Sequence, residues 1–183
     1  MSILAESPVD VIPAGTWEID PAHSSVEFEI RHLGLATVRG RAPVVSGSIT
    51  GGDVPSIRGT VDVSTITTFD ENRDAHLRSP DFFDTARYPE LTFTSSGVRL
   101  EGDELVVDGE LTIKGASKPV TLLGEVVGTG ADPWGNERIG IDLAATIDRT
   151  QWGLTWNAPV PGGGFLLPDD VKLTASFSAV KAA

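Results

Sequence analysis

In the stretch Leu105-Val106-Val107-Asp108-Gly109-Glu110-Leu111-Thr112-Ile113-Lys114, apolar and polar side chains alternate from end to end. Leu105, Val107, Gly109, Leu111 and Ile113 fall on one face, and Val106, Asp108, Glu110, Thr112 and Lys114 on the other. A period of two marks a strand that is dry on one side and wet on the other, and such strands belong to antiparallel sheets. The rhythm recurs on both sides of this stretch. Val26, Phe28 and Ile30 alternate with Glu27, Glu29 and Arg31. Ile139, Ile141, Leu143, Ala145 and Ile147 alternate with Arg138, Asp142, Thr146 and Asp148, and Val171, Leu173, Ala175 and Phe177 repeat the pattern near the C-terminus. Less regular strands are predicted near Thr37–Thr50, Ile57–Thr67, Leu91–Leu100 and Pro119–Val127. About eight strands result, enough to close into a barrel without edges, although a two-sheet sandwich would show the same periodicity.

One segment breaks the pattern. From Asp70 to Tyr88, about residues 70–88, the alternation stops and helix signals appear. Ser79 suits an N-cap, Pro80 the first helical position and Asp81 the positive end of the helix dipole. The short helix so predicted carries Phe82 and Phe83 and is placed as a plug at one barrel end. Residues 1–15 read as an N-terminal extension and 16–183 as a single domain, with no internal repeat.

Composition agrees with this reading. The 183 residues include 20 Gly and 12 Pro, the turn formers an all-β chain needs, and 40% hydrophobic residues. Lys and Arg number 14 against 26 Asp and Glu, a formal net charge of −12. Such a field repels phosphate backbones, so nucleic-acid binding is excluded as an expectation. No apolar run approaches the ~18 residues that span a bilayer, so no stable membrane insertion is expected. The opening lacks the basic-then-apolar order of a secretion leader, its first basic residue being Arg31. A cytoplasmic location is expected, or a periplasmic or secreted one if a leader has been removed.

A search for chemistry finds little. There is no cysteine, hence no thiol nucleophile or thiolate metal site. His23, His32 and His76 show neither the i, i+2 nor the i, i+4 spacing of a ligand pair, and no metal is expected. No Gly-x-Ser-x-Gly elbow is present, and Gly162-Gly163-Gly164 lacks the lysine of a phosphate loop. Asp169-Asp170 reads as a turn. No catalytic residue and no cofactor are assigned, and the chain is not expected to be an enzyme. What stands out is the concentration of Trp152, Leu154, Trp156, Phe165, Leu166 and Leu167 in a Gly- and Pro-rich stretch. Large apolar side chains there either cap the domain or line a binding cavity.

The ordered motifs resemble the YceI-like family, the polyisoprenoid-binding, lipocalin-like barrels of bacteria. Trp17-Glu18-Ile19-Asp20-Pro21-Ala22-His23-Ser24 followed by Val26, Phe28 and His32-Leu33-Gly34 is similar to the family's start. Asp74-Ala75-His76-Leu77-Arg78-Ser79-Pro80-Asp81-Phe82-Phe83-Asp84 resembles its helical insert, and Tyr88-Pro89 through Phe93 the strand after it. Gly109 to Gly115 with Lys118-Pro119-Val120 resembles a mid-barrel hairpin, and Arg149 with Trp152-Gly153-Leu154 and Leu166 to Leu173 the last one. Where the family carries an aromatic soon after Gly40, this chain has Arg41-Ala42-Pro43.

The resemblance implies an eight-stranded antiparallel lipocalin-like barrel with a long apolar channel. It also implies a ligand such as a polyprenyl pyrophosphate, an isoprenoid quinone or a fatty acyl chain, held by a carrier. Two other readings stay open: an enzyme acting on such a lipid, and a solidly packed interaction domain. Strand parity puts Phe28, Ile30, Val107, Leu111, Ile141, Leu143, Leu173 and Phe177 on inward faces, with Phe93 on the strand after the insert. Phe82, Phe83, Trp152, Leu154, Trp156 and Phe165 are expected near the mouth. From Arg31 to Gly52 there is no acidic residue, while Arg31, His32, Arg39 and Arg41 are basic. That stretch is either a solvated strand face or a contact for an anionic head group. A homodimer, if formed, would have to use side-chain surfaces, since a closed barrel has no free edge.

Overall fold

In the computed structural model, which describes residues 10–183, every strand pairing is antiparallel and the sheet closes on itself. Most of the expected N-terminal extension, residues 1–9, lies outside the described residues. Among the described residues the strands are β1 (Gly15–Ile19), β2 (Ser25–His32), β3 (Ala36–Gly51), β4 (Ser56–Asp62), β5 (Glu90–Glu101), β6 (Glu104–Ile113), β7 (Ala116–Ala131), β8 (Glu137–Asp148) and β9 (Asp170–Lys181), and the one α-helix, α1, is Glu71–Arg78. Neighbours in sequence pair from β2 round to β9, and β9 pairs back onto β2 from Ser25↔Ser176 to Glu29↔Lys172. β1 and β2 share one strand position: both lie between β3 and β9, separated by a 3-10 turn at Pro21–His23. The barrel therefore has eight strand positions.

Asp20, Asp62 and Asp148 repeat one local device. Each ends a strand in extended conformation, and its carboxylate accepts the backbone N–H two residues on, starting a 3-10 turn. A short carboxylate competes well for those otherwise unpaired amides. The turn at Asp62 ends β4 before the predicted Thr67. The helix also differs from expectation. Its N-cap is Asp70, which accepts from Arg73 N at 2.8 Å, and Ser79 is its C-cap, donating through its hydroxyl to His76 O at 2.6 Å. Pro80 thus follows the helix instead of opening it, and Phe82 and Phe83 stand in the turns beyond. Two adequate caps nine residues apart compete here; the helix starts at Asp70, and it cannot run on through Pro80, which has no N–H for a helical carbonyl.

The interior has two unlike halves. At the end holding the β3–β4 and β7–β8 turns, Ile12, Trp17, Val44, Ile49, Ile57, Leu105, Val107, Ile139, Ile141 and Leu143 are fully buried and mutually packed. Ile12 belongs to this core and its carbonyl accepts from Gly52 N, so the packed body reaches back before Gly15. Outside this end, the Arg138 guanidinium donates to Asp20 and to Asp132, each at 2.9 Å. It thereby joins the β1–β2 corner to the β7–β8 turn.

The Arg138 bond is the main cause, and the contact with His23 the next, that holds the Asp20 carboxyl at about 2 against an ordinary 3.8. A carboxylate depressed on folding contributes stability above its unfolded pKa and loses it as pH falls through the folded one. The contribution is therefore complete above about pH 4 and fades toward pH 2. Arg138→Met should lower stability at neutral pH and flatten the acid-dependent loss between pH 4 and 2, read from urea melts across that window.

Candidate functional site

The other half of the barrel is hollow. A cavity of about 240 Å³ opens between the β2–β3 turn, α1 and the segment after β8. At the ~30 Å³ a water occupies in the liquid, that is room for about eight waters. Its wall is almost wholly apolar: Val26, Phe28 and Ile30 from β2, Val38 and Ala42 from β3, Ile113, Ile147, Val171 and Leu173 from later strands. The roof consists of Leu77 of α1, Phe82 and Phe83, and Leu154, Trp156, Leu166 and Leu167 from the segment between β8 and β9. Phe28 can lie across the wall because its cross-strand partner is Gly40. A β-carbon there would stand only 2.0 Å from the nearest Phe28 ring atom. Gly109 makes the same room for Phe93 in the packed region.

Polar groups on the wall include His32, Arg73, His76 and Arg149. His76 sits edge-on to Phe82 and Trp156, with ring centroids 5.0 and 4.6 Å away, and its Nε2 meets Asp81 Oδ2 at 2.8 Å. Arg73 donates to Thr68 Oγ1 at 2.7 Å and Thr68 O at 2.9 Å. Arg149 is the unusual group, a guanidinium only 3% exposed. It donates to three backbone carbonyls, those of Pro168 at 2.9 Å, Trp156 at 3.0 Å and Leu154. None of the described carboxylates pairs with it within ion-pair distance. Burial pulls its pKa below the ordinary arginine value, with Asp169 and Asp148 opposing from a distance.

The residues expected along a channel divide. Phe28, Ile30, Phe82, Phe83, Leu154, Trp156 and Leu173 lie on the cavity wall. Val107, Leu111, Ile141 and Leu143 face inward but belong to the packed core, while Phe93 and Phe177 pack partly buried against it. A cavity confined to one end of the barrel thus replaces the expected long channel, because the other end is filled by its own side chains. Trp152 is buried off the wall, its Nε1 donating to Leu111 O at 2.9 Å, and Phe165 points outward, 67% exposed.

Of the four basic residues singled out, His32 alone is on the wall. Arg31, Arg39 and Arg41 alternate with inward Ile30, Val38 and Ala42, so parity turns them out. Arg39 stands opposite Glu29 and donates to it at 2.8 Å, Arg41 stands opposite Glu27, and Arg31 reaches Thr37 Oγ1 at 3.4 Å. The acid-free run along the chain is therefore matched by acids across the ladder. Sequence reasoning missed Arg73 and the chemistry of Arg149. A lone arginine between Asp148 and Thr150 carries no mark of burial.

The YceI-like domain model matches residues 17–179. Protein YceI of Escherichia coli O157:H7 is 39% identical over 140 residues, 73% of either chain. The solved YceI protein of Campylobacter jejuni superposes with a TM-score of 0.69 at 26% identity, covering 84% of this chain and 90% of that one. A polyisoprenoid binding domain from Saccharophagus degradans, implicated in plant cell wall breakdown, superposes at 0.66 over 91% of this chain and 98% of its own, and at 16% identity shows the fold alone.

The two halves should respond differently to truncation. Leu143→Ala removes a fully buried side chain from the packed half and should cost about 2–5 kcal/mol, the range for such deletions. Leu173→Ala, beside existing empty space, should cost clearly less. Denaturant midpoints of the two variants check the division.

Proposed function

The chain belongs to the YceI-like domain family, and from that premise we propose that it is a carrier whose cavity takes the apolar tail of a long-chain lipid, an isoprenoid or a fatty acyl chain, with no reaction catalysed. The observation that carries this reading is the nearly all-apolar cavity, closed at its inner end by the packed half of the barrel and roofed by aromatic side chains. Apolar lining is sufficient for affinity. Ten buried methylenes contribute about 8 kcal/mol, the equivalent of a micromolar Kd before ordering costs. The polyisoprenoid-binding name of the Saccharophagus degradans domain supports an isoprenoid tail.

Polarity orients the ligand. Arg73, His76 and Arg149 stand in or beside the roof, while the inner wall has no cation, so the tail enters first and the head stays near the opening. A guanidinium buried without a carboxylate is electrostatically incomplete, and an anionic head such as a diphosphate or carboxylate would complete it. A neutral quinone is the second reading, supported by hydrogen-bond donors at the same place.

Lipids extracted from the purified protein and identified by mass spectrometry test the reading directly. A chain that copurifies with none, and takes up neither a polyprenyl diphosphate nor a quinone of equal tail, is not a carrier. Leu173→Trp, which fills the wall, should weaken binding at least ten-fold while leaving the packed half folded. Among the four tryptophans, Trp156 alone lines the cavity. Ligand titration should therefore change the intrinsic fluorescence of the native protein and leave that of Trp156→Phe flat.

A further inference from the structure

Four large apolar side chains stand exposed around the cavity's opening: Leu33 at 44%, Leu35 at 82%, Phe69 at 93% and Phe165 at 67%. Single exposed apolar residues are ordinary, but several on one rim mark a surface that meets something apolar. Hydrogen bonds place these residues together at one end. Leu33 and Leu35 form the β2–β3 turn, and Leu33 N donates to the carbonyl of Leu166, a cavity-roof residue that follows Phe165 directly. Phe69 precedes the N-cap of α1, on a segment tied to β3 by reciprocal bonds between Thr67 and Arg41 at 3.0 and 2.9 Å. Elsewhere, the exposed Val54 and Trp134 lie in turns at the opposite, packed end.

The backbone makes the rim harder to dismiss. Leu33 has φ +56° and Phe69 φ +62°, a region bulky L-residues seldom adopt. Asp84 and Lys114 share that conformation but are polar. Leu33-Gly34 forms a type I′ turn, closed by Leu35 N to His32 O at 3.0 Å, where asparagine would be the easy first residue. Two hydrophobic side chains are thus held out in water in a backbone state that disfavours them.

We propose that this rim docks the open end of the barrel on the surface of a zwitterionic lipid bilayer, so that a lipid passes between membrane and cavity without crossing water. The proposal rests on the carrier reading for its purpose, though not for the docking itself. Continuity argues for a bilayer as the occupant. Phe165 and Leu33 adjoin Leu166, so exposed apolar rim and apolar cavity wall form one surface. A net charge of −12 removes attraction to anionic headgroups as the driving force and leaves apolar insertion.

Flotation of the ligand-free protein with phosphatidylcholine vesicles at physiological salt tests docking alone. The native protein should float with the vesicles. Leu35→Ser/Phe69→Ser/Phe165→Ser should lose at least ten-fold of that association and keep its thermal unfolding, with Phe165→Ser alone showing part of the loss. Uptake of a pyrene-labelled polyprenol from those vesicles should slow about ten-fold in the triple variant at unchanged final occupancy. A native protein that does not float, or a variant that floats equally, overturns the proposal. So does self-association through the same residues without vesicle binding, which would make the rim a contact between copies. If flotation depends on the rim while neither protein takes up the probe, docking stands and the carrier reading falls.

Discussion

The β9–β2 ladder turns a sheet into a container. Its five cross-strand pairs, Ser25↔Ser176 to Glu29↔Lys172, leave the sheet without a free edge, and β1 extends the closure from Trp17↔Lys181 to Ile19↔Ala179. Closure fixes parity everywhere at once. With period two, each strand must send alternate residues into a shared interior, and a one-residue slip in any ladder would turn its apolar set to solvent. At Val44/Ser46, Ser95/Gly97 and Val126/Gly128 one strand takes an extra residue, which bends it and switches its inward positions, as from Val44 to Ile49 on β3, while the partner strand keeps its own alternation. The hollow and the packed regions are both consequences of one closed register.

What divides them is side-chain volume along individual strands. β8 sends in Ile139, Ile141 and Leu143 at the packed end and then the small Ala145 as the cavity is reached. On the other side, Phe28 is laid against Gly40, which keeps the ring along the wall. A larger residue at either small position would take space from the cavity. The hollow is thus written into the chain as an absence of bulk at specific inward positions, sealed above by residues that belong to no strand.

Much of this was legible beforehand, and for a physical reason. Alternation reports burial on a half-wet sheet, so the strands around Leu105–Lys114 and Ile139–Asp148 could be placed within a few residues, and the ordered motifs selected the barrel over the sandwich. Parity also picked correct inward faces for Phe28, Ile30 and Leu173. It could not tell that Leu143 packs while Leu173 borders a void, because both obey the same rhythm and differ only in what stands across the barrel. The two readings of the basic stretch could not be separated for a related reason. Charge counted along the chain ignores the ladder, and Glu29 lies ten residues from Arg39 in sequence but opposite it in space. The helix falls inside the predicted 70–88 insert but starts at Asp70 and not at Ser79, because both are competent caps and local propensity does not rank them; the cap at Arg73 N and the roof contacts of Leu77 do.

Arg149 shows how a segment with little regular structure can still roof a cavity. Between Gly153 and Asp169 the chain has no strand or helix, only turns and one bridge between Pro159 and Phe165, so many of its carbonyls have no partner in the sheet. Buried carbonyls without donors are costly, and a buried guanidinium without acceptors is costlier still. Here each need meets the other: one side chain takes Leu154 O, Trp156 O and Pro168 O together and binds both ends of the segment to the 3-10 turn after β8. Asn157 does the same on a smaller scale, donating to Leu167 O at 2.6 Å and accepting from Leu167 N at 3.0 Å. Lysine could carry the charge but not the planar fork that spans three acceptors. The positions of Leu154, Trp156 and Leu167 over the cavity therefore rest on polar bonds made behind them, and the apolar surface they present is held in place by the most polar side chain in the site.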